Sequence, residues 1–232
     1  MVLCVVLIKE NQVFNCCLLN ITLHNLGRRF NQEWIFRSLD YTLSSSKSYA
    51  VLGPNGSGKS TLLKVLTGQL SPSEGKIVFE DATSGQIHVD DVYQYLTIAA
   101  PYVELIEEFT LNELLDFHFK FKSFLPGHDK ASVLSYLAMD SSANKVIKYF
   151  SSGMKQRVKL ALACFSDSRI LLLDEPTSNL DVEGERWYLE LLERTVSPGR
   201  LIIFGSNQEK EYAFCTDHIH ILDYKRQLVP SS

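Results

Sequence analysis

The sequence predicts an α/β fold: a parallel sheet covered by helices on both faces, joined to an N-terminal antiparallel β part and interrupted by an inserted α-helical subdomain. Three observations predict it. The runs "SYAVLG" (48–53), "RILLLDEP" (169–176) and "LIIFGSN" (201–207) are short and almost wholly apolar until their polar ends, the pattern of strands buried on both faces. Segments of helical periodicity separate these runs, and strands that alternate with helices pair in parallel. From about 105 to 165 the alternation lapses into consecutive helical patterns, which reads as a lobe inserted into the sheet domain.

Taken in order, residues 1–19 fit this scheme least. They hold three of the five cysteines, and "NITLHNLGRRF" after them already reads as a first strand. We expect this atypical extension to be dispensable, either as an extra edge strand or as residues upstream of a native start near Leu19 to Ile21. From Asn20 to Leu43 short strands flank a turn at "FNQE", an antiparallel arrangement. "SYAVLG" ends in a glycine loop, and "SGKSTLLKVLTG" (57–68) carries helical periodicity with Gly68 as its stop. "SPSEG" (71–75) is a turn, followed by the strands "KIVFE" and "YLTIA".

"TLNELLDFHFKF" (110–121) opens with Thr110 and Glu113 at capping-box spacing and is therefore a helix. "PGHD" (126–129) breaks it, and "KASVLSYLAM" is another helix. "SSGMKQRVKLALACF" (151–165) reads as a helix entered through Ser151 and Ser152. "VEGERWYLELLERTV" (182–196) is amphipathic through Trp187, Tyr188, Leu191 and Leu192, and "SPG" (197–199) turns into the last apolar strand.

With 232 residues the chain can bury one substantial core, with room for a small lobe. A composition of 45% hydrophobic and 22% charged residues is ordinary for a globular protein, and a net charge of −4 disfavours duplex binding, so no nucleic-acid partner is expected. No run approaches the roughly 18 apolar residues of a membrane span, and "MVLCVVLI" lacks the basic flank and cleavage site of a secretory signal. A reducing, cytoplasmic location is the expectation. Cys4, Cys16, Cys17, Cys164 and Cys215 agree with it, being odd in number and without paired metal-ligand spacing.

"GPNGSGKST" (53–61) satisfies G-x-x-x-x-G-K-[ST] through Gly53, Gly58, Lys59 and Ser60. At ordinary residue frequencies a chain of this length carries that pattern about once in a hundred. Here it also follows an apolar strand and opens a helix. Glycines let backbone N–H groups turn inward around phosphates, and the helix N-terminus adds positive potential. Gly53, Pro54, Asn55, Gly56, Ser57, Gly58, Lys59, Ser60 and Thr61 are thus the candidate phosphate cradle. Lys59 would reach the β- and γ-phosphates, and Ser60 would offer a hydroxyl to Mg²⁺.

"RILLLDEPTSNLD" (169–181) supplies the second half. Asp174 emerges at the end of a buried strand, placed for the Mg²⁺ shell. Glu175 follows, a carboxylate positioned to polarise an attacking water.

Those two motifs fit many P-loop enzymes. "FSSGMKQRVKLALA", a little upstream of Asp174, narrows the field: it resembles the LSGGQ signature of ABC-type ATPases, with Phe150, Ser151, Ser152, Gly153 and Met154 at its five positions. The resemblance covers about residues 20–225, leaving 226–232 as a tail. It implies a P-loop NTPase with a RecA-like parallel-sheet core, binding ATP and Mg²⁺. It further implies that Ser151, Ser152 and Gly153 address the γ-phosphate held by a facing subunit. "SNLD" (178–181) is similar to the D-loop, which puts Asp181 at that dimer interface, and Phe30 falls where the family stacks an aromatic ring on adenine.

Two positions depart from the family. A glutamine usually follows the strand that precedes the helical lobe; alignment on "FTLNE" places Ala100 or Pro101 there, and neither carries an amide. The family's last strand ends in Thr-His or Ser-His, whereas Ser206 is followed here by Asn207. An asparagine can donate a hydrogen bond to a phosphate oxygen, but it is shorter and cannot become cationic. The catalytic set expected is therefore Glu175, Lys59 and Asn207, in a working but slow or partner-dependent ATPase.

The resemblance implies the ATP-binding subunit of an ABC transporter, dimerising as a homodimer or with another ABC subunit around two ATP. It would power a transmembrane permease on a separate chain, from the cytoplasmic face of the membrane. Length and "SSGMKQR" lean towards export, and "ELIEEFTLNELLDF" suits a partner's coupling helix. An ATP-gated regulatory module with negligible hydrolysis is the alternative. A GTPase is disfavoured because no N-K-x-D element occurs.

Overall fold

A computed structural model describes residues 18–225. The expectation for the N-terminal extension therefore lies outside the described residues, except that Leu18 is exposed and Leu19 is buried at the start of the first strand. In chain order the elements are β1 (Leu19–Phe30), β2 (Glu33–Ser44), β3 (Ser48–Leu52), α1 (Lys59–Leu66), β4 (Glu74–Asp81), β5 (Gly85–Ile87), β6 (Leu96–Ala99), α2 (Leu111–Phe121) and α3 (Lys130–Leu137). They continue with α4 (Ser152–Phe165), β7 (Ile170–Asp174), α5 (Val182–Thr195), β8 (Leu201–Ser206), α6 (Glu209–Tyr212) and β9 (Asp217–His220). The described residues form two compact units: those up to Tyr93 together with those from Leu201, and Gln94–Arg200.

In the first unit β2, β1, β4 and β5 make an antiparallel sheet, with Phe30 opposite Glu33 across the "FNQE" turn. Leu19, Ile21 and Leu23 alternate inward along β1 and meet Phe36, Leu39, Leu43 and Phe79 in the core, as a sheet with one covered face requires. Beyond Leu23 the β1–β2 register shifts three times, and Asn25 takes a left-handed φ of 46°. These bulges re-aim the residues near the end of β1.

The same unit contains the parallel ladder β8-β3-β9. Every residue of β8 is buried, including the terminal Ser206. Its register sets Leu52 opposite Ser206, so the two strands end level.

In the second unit β6 and β7 pair in parallel, Ala99 opposite Leu173, and all of β7 is buried down to Asp174. Thr110 and Glu113 close the capping box of α2, with Glu113 N to Thr110 Oγ1 at 3.2 Å and Thr110 N to Glu113 Oε2 at 2.8 Å. Asp129 and Ser132 cap α3 in the same way, and the helix stops at Leu137 because Ala138 is left-handed, φ 51°. The "KASVLSYLAM" helix is thus two residues shorter than its apolar pattern suggests. Arg200, 5% exposed, holds the C-terminal end of α4: its guanidinium donates to Cys164 O at 2.9 Å, Ala163 O at 3.1 Å and Ser166 O at 2.9 Å. A cation on orphan terminal carbonyls also opposes the negative end of the helix dipole.

Candidate functional site

The loop after β3 and the start of α1 are built for an anion. Gly53 has φ 155° and Gly58 φ 114°, and a Cβ at Gly53 would stand 2.8 Å from Ile221 Cγ2, while one at Gly58 would run into Ile35. Only glycine allows this path. Gly58 is the N-cap of α1, without a side-chain cap and without an acidic residue in the first turn, which leaves the positive end of the helix to face an anion. Ser57 Oγ is buried and has no hydrogen-bond partner among the described residues. Lys59 is 4% exposed, and its Nζ donates to Gly53 O at 2.8 Å and Pro54 O at 3.3 Å. Pro54, Asn55 and Gly56 are exposed, and Ser60 and Thr61 lie partly exposed in the first turn of α1. The cradle therefore meets the requirements of a phosphate chain: uncapped amides, an orphaned hydroxyl and a cation held close by.

Asn207 belongs to this unit. It is exposed, and its Nδ2 donates to Asn55 Oδ1 at 3.0 Å, which ties the end of β8 to the phosphate loop. Phe30, 44% exposed, ends β1, and the Arg28 guanidinium lies 4.7 Å from its ring centroid. Arg28 Nη1 is anchored on Ser71 O at 2.9 Å, so one face of the ring carries a fixed cation. The sequence reading singled out Phe30 and missed Arg28; their spacing, two residues apart on one strand, is the signal that places both on one face.

The second unit holds the acids. Asp174 is 1% exposed at the end of β7, and Glu175 after it takes φ 44°. A left-handed conformation at a non-glycine residue is uncommon and costs of order 1–3 kcal/mol, which the surrounding structure must sustain. Gln156 Nε2 of α4 donates to Pro176 O at 2.8 Å, so α4 and the segment after Glu175 are bonded directly. At the start of α4, Ser151 Oγ accepts from Met154 N at 3.2 Å as the N-cap, while Ser152 is exposed. A Cβ on Gly153 would lie 3.2 Å from Asn179 O, so "SSG" and "SNLD" are neighbours. Asp181 Oδ1 accepts from Gly184 N at 2.7 Å and caps α5.

Where the family pattern has an amide, Ala100 is buried and Pro101 exposed, but the next residue, Tyr102, turns its hydroxyl to Asp174. Burial, reinforced by the Asp174 charge and hydrogen bond, holds that phenol well above its usual range, so it stays protonated and donates to the carboxylate. Tyr102 is the residue that sequence reading passed over. The alignment looked for an amide at Ala100 or Pro101, and a phenol one position further on gives no such signal. Among the described residues no group of three or more His, Cys, Asp or Glu could hold a metal ion.

Comparison with known proteins accounts for this constellation. The family model described as ABC transporter matches residues 36–178. The chain is 30% identical over 191 residues to the cytochrome c biogenesis ATP-binding export protein CcmA of Rhizobium meliloti, covering 81% of this chain and 91% of that protein. It is 28% identical over 202 residues to the linearmycin resistance ATP-binding protein LnrL of Bacillus subtilis, covering 86% of this chain but only 65% of that relative's length. Over 217 residues it is 28% identical to the Nod factor export ATP-binding protein I of Rhizobium johnstonii, covering 90% of this chain and 68% of the relative. Among solved structures, a putative ABC transporter ATP-binding protein of Pyrococcus furiosus superposes with a TM-score of 0.73 at 19% identity, covering 89% of this chain and all of that one. A bacterial Atm1-family ABC exporter superposes with a TM-score of 0.72 at 21% identity, covering 88% of this chain and 37% of the exporter. The uncapped phosphate loop, the acids closing β7 and the serine-led α4 are therefore a family inheritance: the chain belongs to the ABC transporter family and carries its ATP-binding domain.

Proposed function

We propose that this chain hydrolyses ATP as the motor subunit of a transporter whose membrane-spanning part is a separate permease. Two such domains, as a homodimer or with a second ABC subunit, would close around two ATP. In this reading the amides of Gly53 to Thr61 cradle the phosphates, Lys59 pairs with the β- and γ-oxygens, and Phe30 stacks on adenine. Ser60 and Asp174 would hold Mg²⁺, which when bound neutralises charge on the β- and γ-phosphates. Glu175 accepts a proton from the attacking water, and Asn207 donates to the γ-phosphate. Ser151, Ser152 and Gly153 would face the nucleotide of the opposite subunit across an interface that includes Asp181.

Asp174 offers a single buried carboxylate, and Mg²⁺ takes most of its coordination from phosphate oxygens and water. No helix among the described residues is long and apolar enough to cross a membrane. A cavity of about 350 Å³ in the second unit, lined by Val103, Ile106, Leu114, Phe117 and Phe121 among others, suits an apolar helix of that partner. Docking there would hold the chain at the cytoplasmic face of the membrane. Relatives named for Nod factor export and for cytochrome c biogenesis export favour export as the direction.

The observation that carries hydrolysis, rather than binding alone, is Glu175 held at φ 44° directly after the buried Asp174. Ala100, Pro101 and Asn207 favour the second reading, an ATP-gated module in which hydrolysis is incidental. Turnover of the purified chain, alone and with membranes containing its partner, decides between them. Wild-type turnover on the order of 10² or more above Glu175→Gln is expected; equal rates in both preparations would establish the gating module instead.

A further inference from the structure

We propose that Glu211 is a positioning residue for Asn207, acting through the hydroxyl of Ser206. The inference rests on the reading of Asn207 as the residue that faces the γ-phosphate. Ser206 is the last residue of β8 and fully buried, and Glu211 in α6 is 1% exposed. A carboxylate that far from water requires hydrogen-bond donors. One is Ser206 Oγ, which donates to Glu211 Oε2.

A serine hydroxyl has one hydrogen and two acceptor positions. The hydrogen is committed to Glu211, because the other acceptor within reach, Gln208 O, lies at 3.5 Å. The oxygen then accepts from Gln208 N at 2.9 Å, which closes a tight turn across residues 206–208. Asn207 is the apex of that turn, and its side chain leaves it to bond Asn55 at 3.0 Å. The carboxylate thus orients the hydroxyl, the hydroxyl closes the turn, and the turn aims the amide at the phosphate loop. An asparagine is shorter than the family's histidine, so its reach depends more on where its backbone is held.

The test is a double-mutant cycle on the full chain, read by single-turnover ATP hydrolysis, ATP affinity and hydrogen exchange at the Gln208 amide. Glu211→Ala and Ser206→Ala are each expected to lower the hydrolysis rate about tenfold and to speed exchange at Gln208, with the ATP dissociation constant within about twofold of wild type. Glu211→Gln keeps an acceptor for the hydroxyl and restores most of the rate. In an Asn207→Ala background, Glu211→Ala and Ser206→Ala add nothing further. A merely structural role predicts otherwise, and overturns the proposal: rate losses that multiply with Asn207→Ala, or a fall in Tm with the rate unchanged. If Asn207→Ala itself leaves hydrolysis untouched, the reading of Asn207 falls and the proposal with it. If Asn207→Ala slows hydrolysis while neither Glu211→Ala nor Ser206→Ala does, only the proposal falls.

Discussion

Asn207 Nδ2 donates to Asn55 Oδ1 at 3.0 Å, so the residue that departs most clearly from the family pattern is bonded directly to the phosphate loop. Its place is set by strand register: β8 lies beside β3, Leu52 opposite Ser206, and both chains leave the sheet at the same level. An amide there carries two N–H donors, one of them given to Asn55, but bears no positive charge.

Replacing it with the family's residue tests what that costs. Asn207→His is expected to raise ATP turnover about tenfold or more, since one well-placed transition-state donor is worth on the order of 10² to 10³. Steady-state phosphate release under saturating ATP reads the effect. An unchanged rate would show that the missing histidine does not limit turnover.

The proposed stacking of Phe30 on adenine is testable apart from phosphate binding. Arg28 lies 4.7 Å from the ring centroid, and Phe30 is 44% exposed. Phe30→Ala is expected to weaken ATP about tenfold, from a stacking contribution of ~1–3 kcal/mol, and to leave inorganic triphosphate binding unaltered. Calorimetric titration of both ligands checks it. Equal losses for both would mean that the ring shapes the loop rather than the base site.

Tyr102 and Asp174 give a prediction in the opposite direction for stability and for metal. Tyr102→Phe removes the donor from a carboxylate that is 1% exposed, at a cost of ~1–3 kcal/mol in the metal-free protein. The same change frees Asp174 for a cation. Thermal melts are expected to show a lower Tm without Mg²⁺ and a larger upward shift when Mg²⁺ and ATP are added than in wild type. A smaller shift would show that the phenol assists the metal shell instead of competing with it.

Acid should weaken the second unit through His118. Burial, with the nearby charge of Lys122, lowers its pKa from 6.5 to about 4, and its Nε2 bonds to Ser166 Oγ at 2.8 Å. Because the Ser166 hydrogen goes to Leu162 O at 2.6 Å, His118 Nε2 is the donor, and burial keeps the folded ring neutral down to about pH 4. The unfolded chain takes up this proton below 6.5, the native chain only near 4. The contribution is thus fully present above pH 6.5 and is lost as pH falls from 6.5 towards 4. Urea midpoints across that window should fall less steeply in His118→Gln, which retains a donor; parallel slopes would exclude His118 as the source.

Much of this arrangement is legible along the chain. "GPNGSGKST" needs no tertiary knowledge, because the glycines at 53 and 58 and the lysine that follows are demanded by local backbone geometry and phosphate chemistry. Thr110 and Glu113 announce α2 for the same reason: both hydrogen bonds of the capping box lie within four residues. Legibility fails where the partner is distant in sequence. The short strands β5 and β9, and the four-residue α6, carry too few residues for a periodicity and are held by neighbours instead. Arg28 beside Phe30 and Asp129 as the cap of α3 were within reach of local rules and went unread.

By itself the sequence determined the phosphate loop, the acids that end β7, the serine-led start of α4 and the family to which they belong, since each is a contiguous motif whose chemistry is set by neighbours along the chain. Tertiary structure alone decided that Asn207 meets Asn55, that Tyr102 turns to Asp174, and that Glu211 reaches Ser206. The first two pairs join residues 152 and 72 positions apart, and the third depends on two side chains buried on either side of an exposed turn. Strand register and burial set such encounters, and neither is written in local composition.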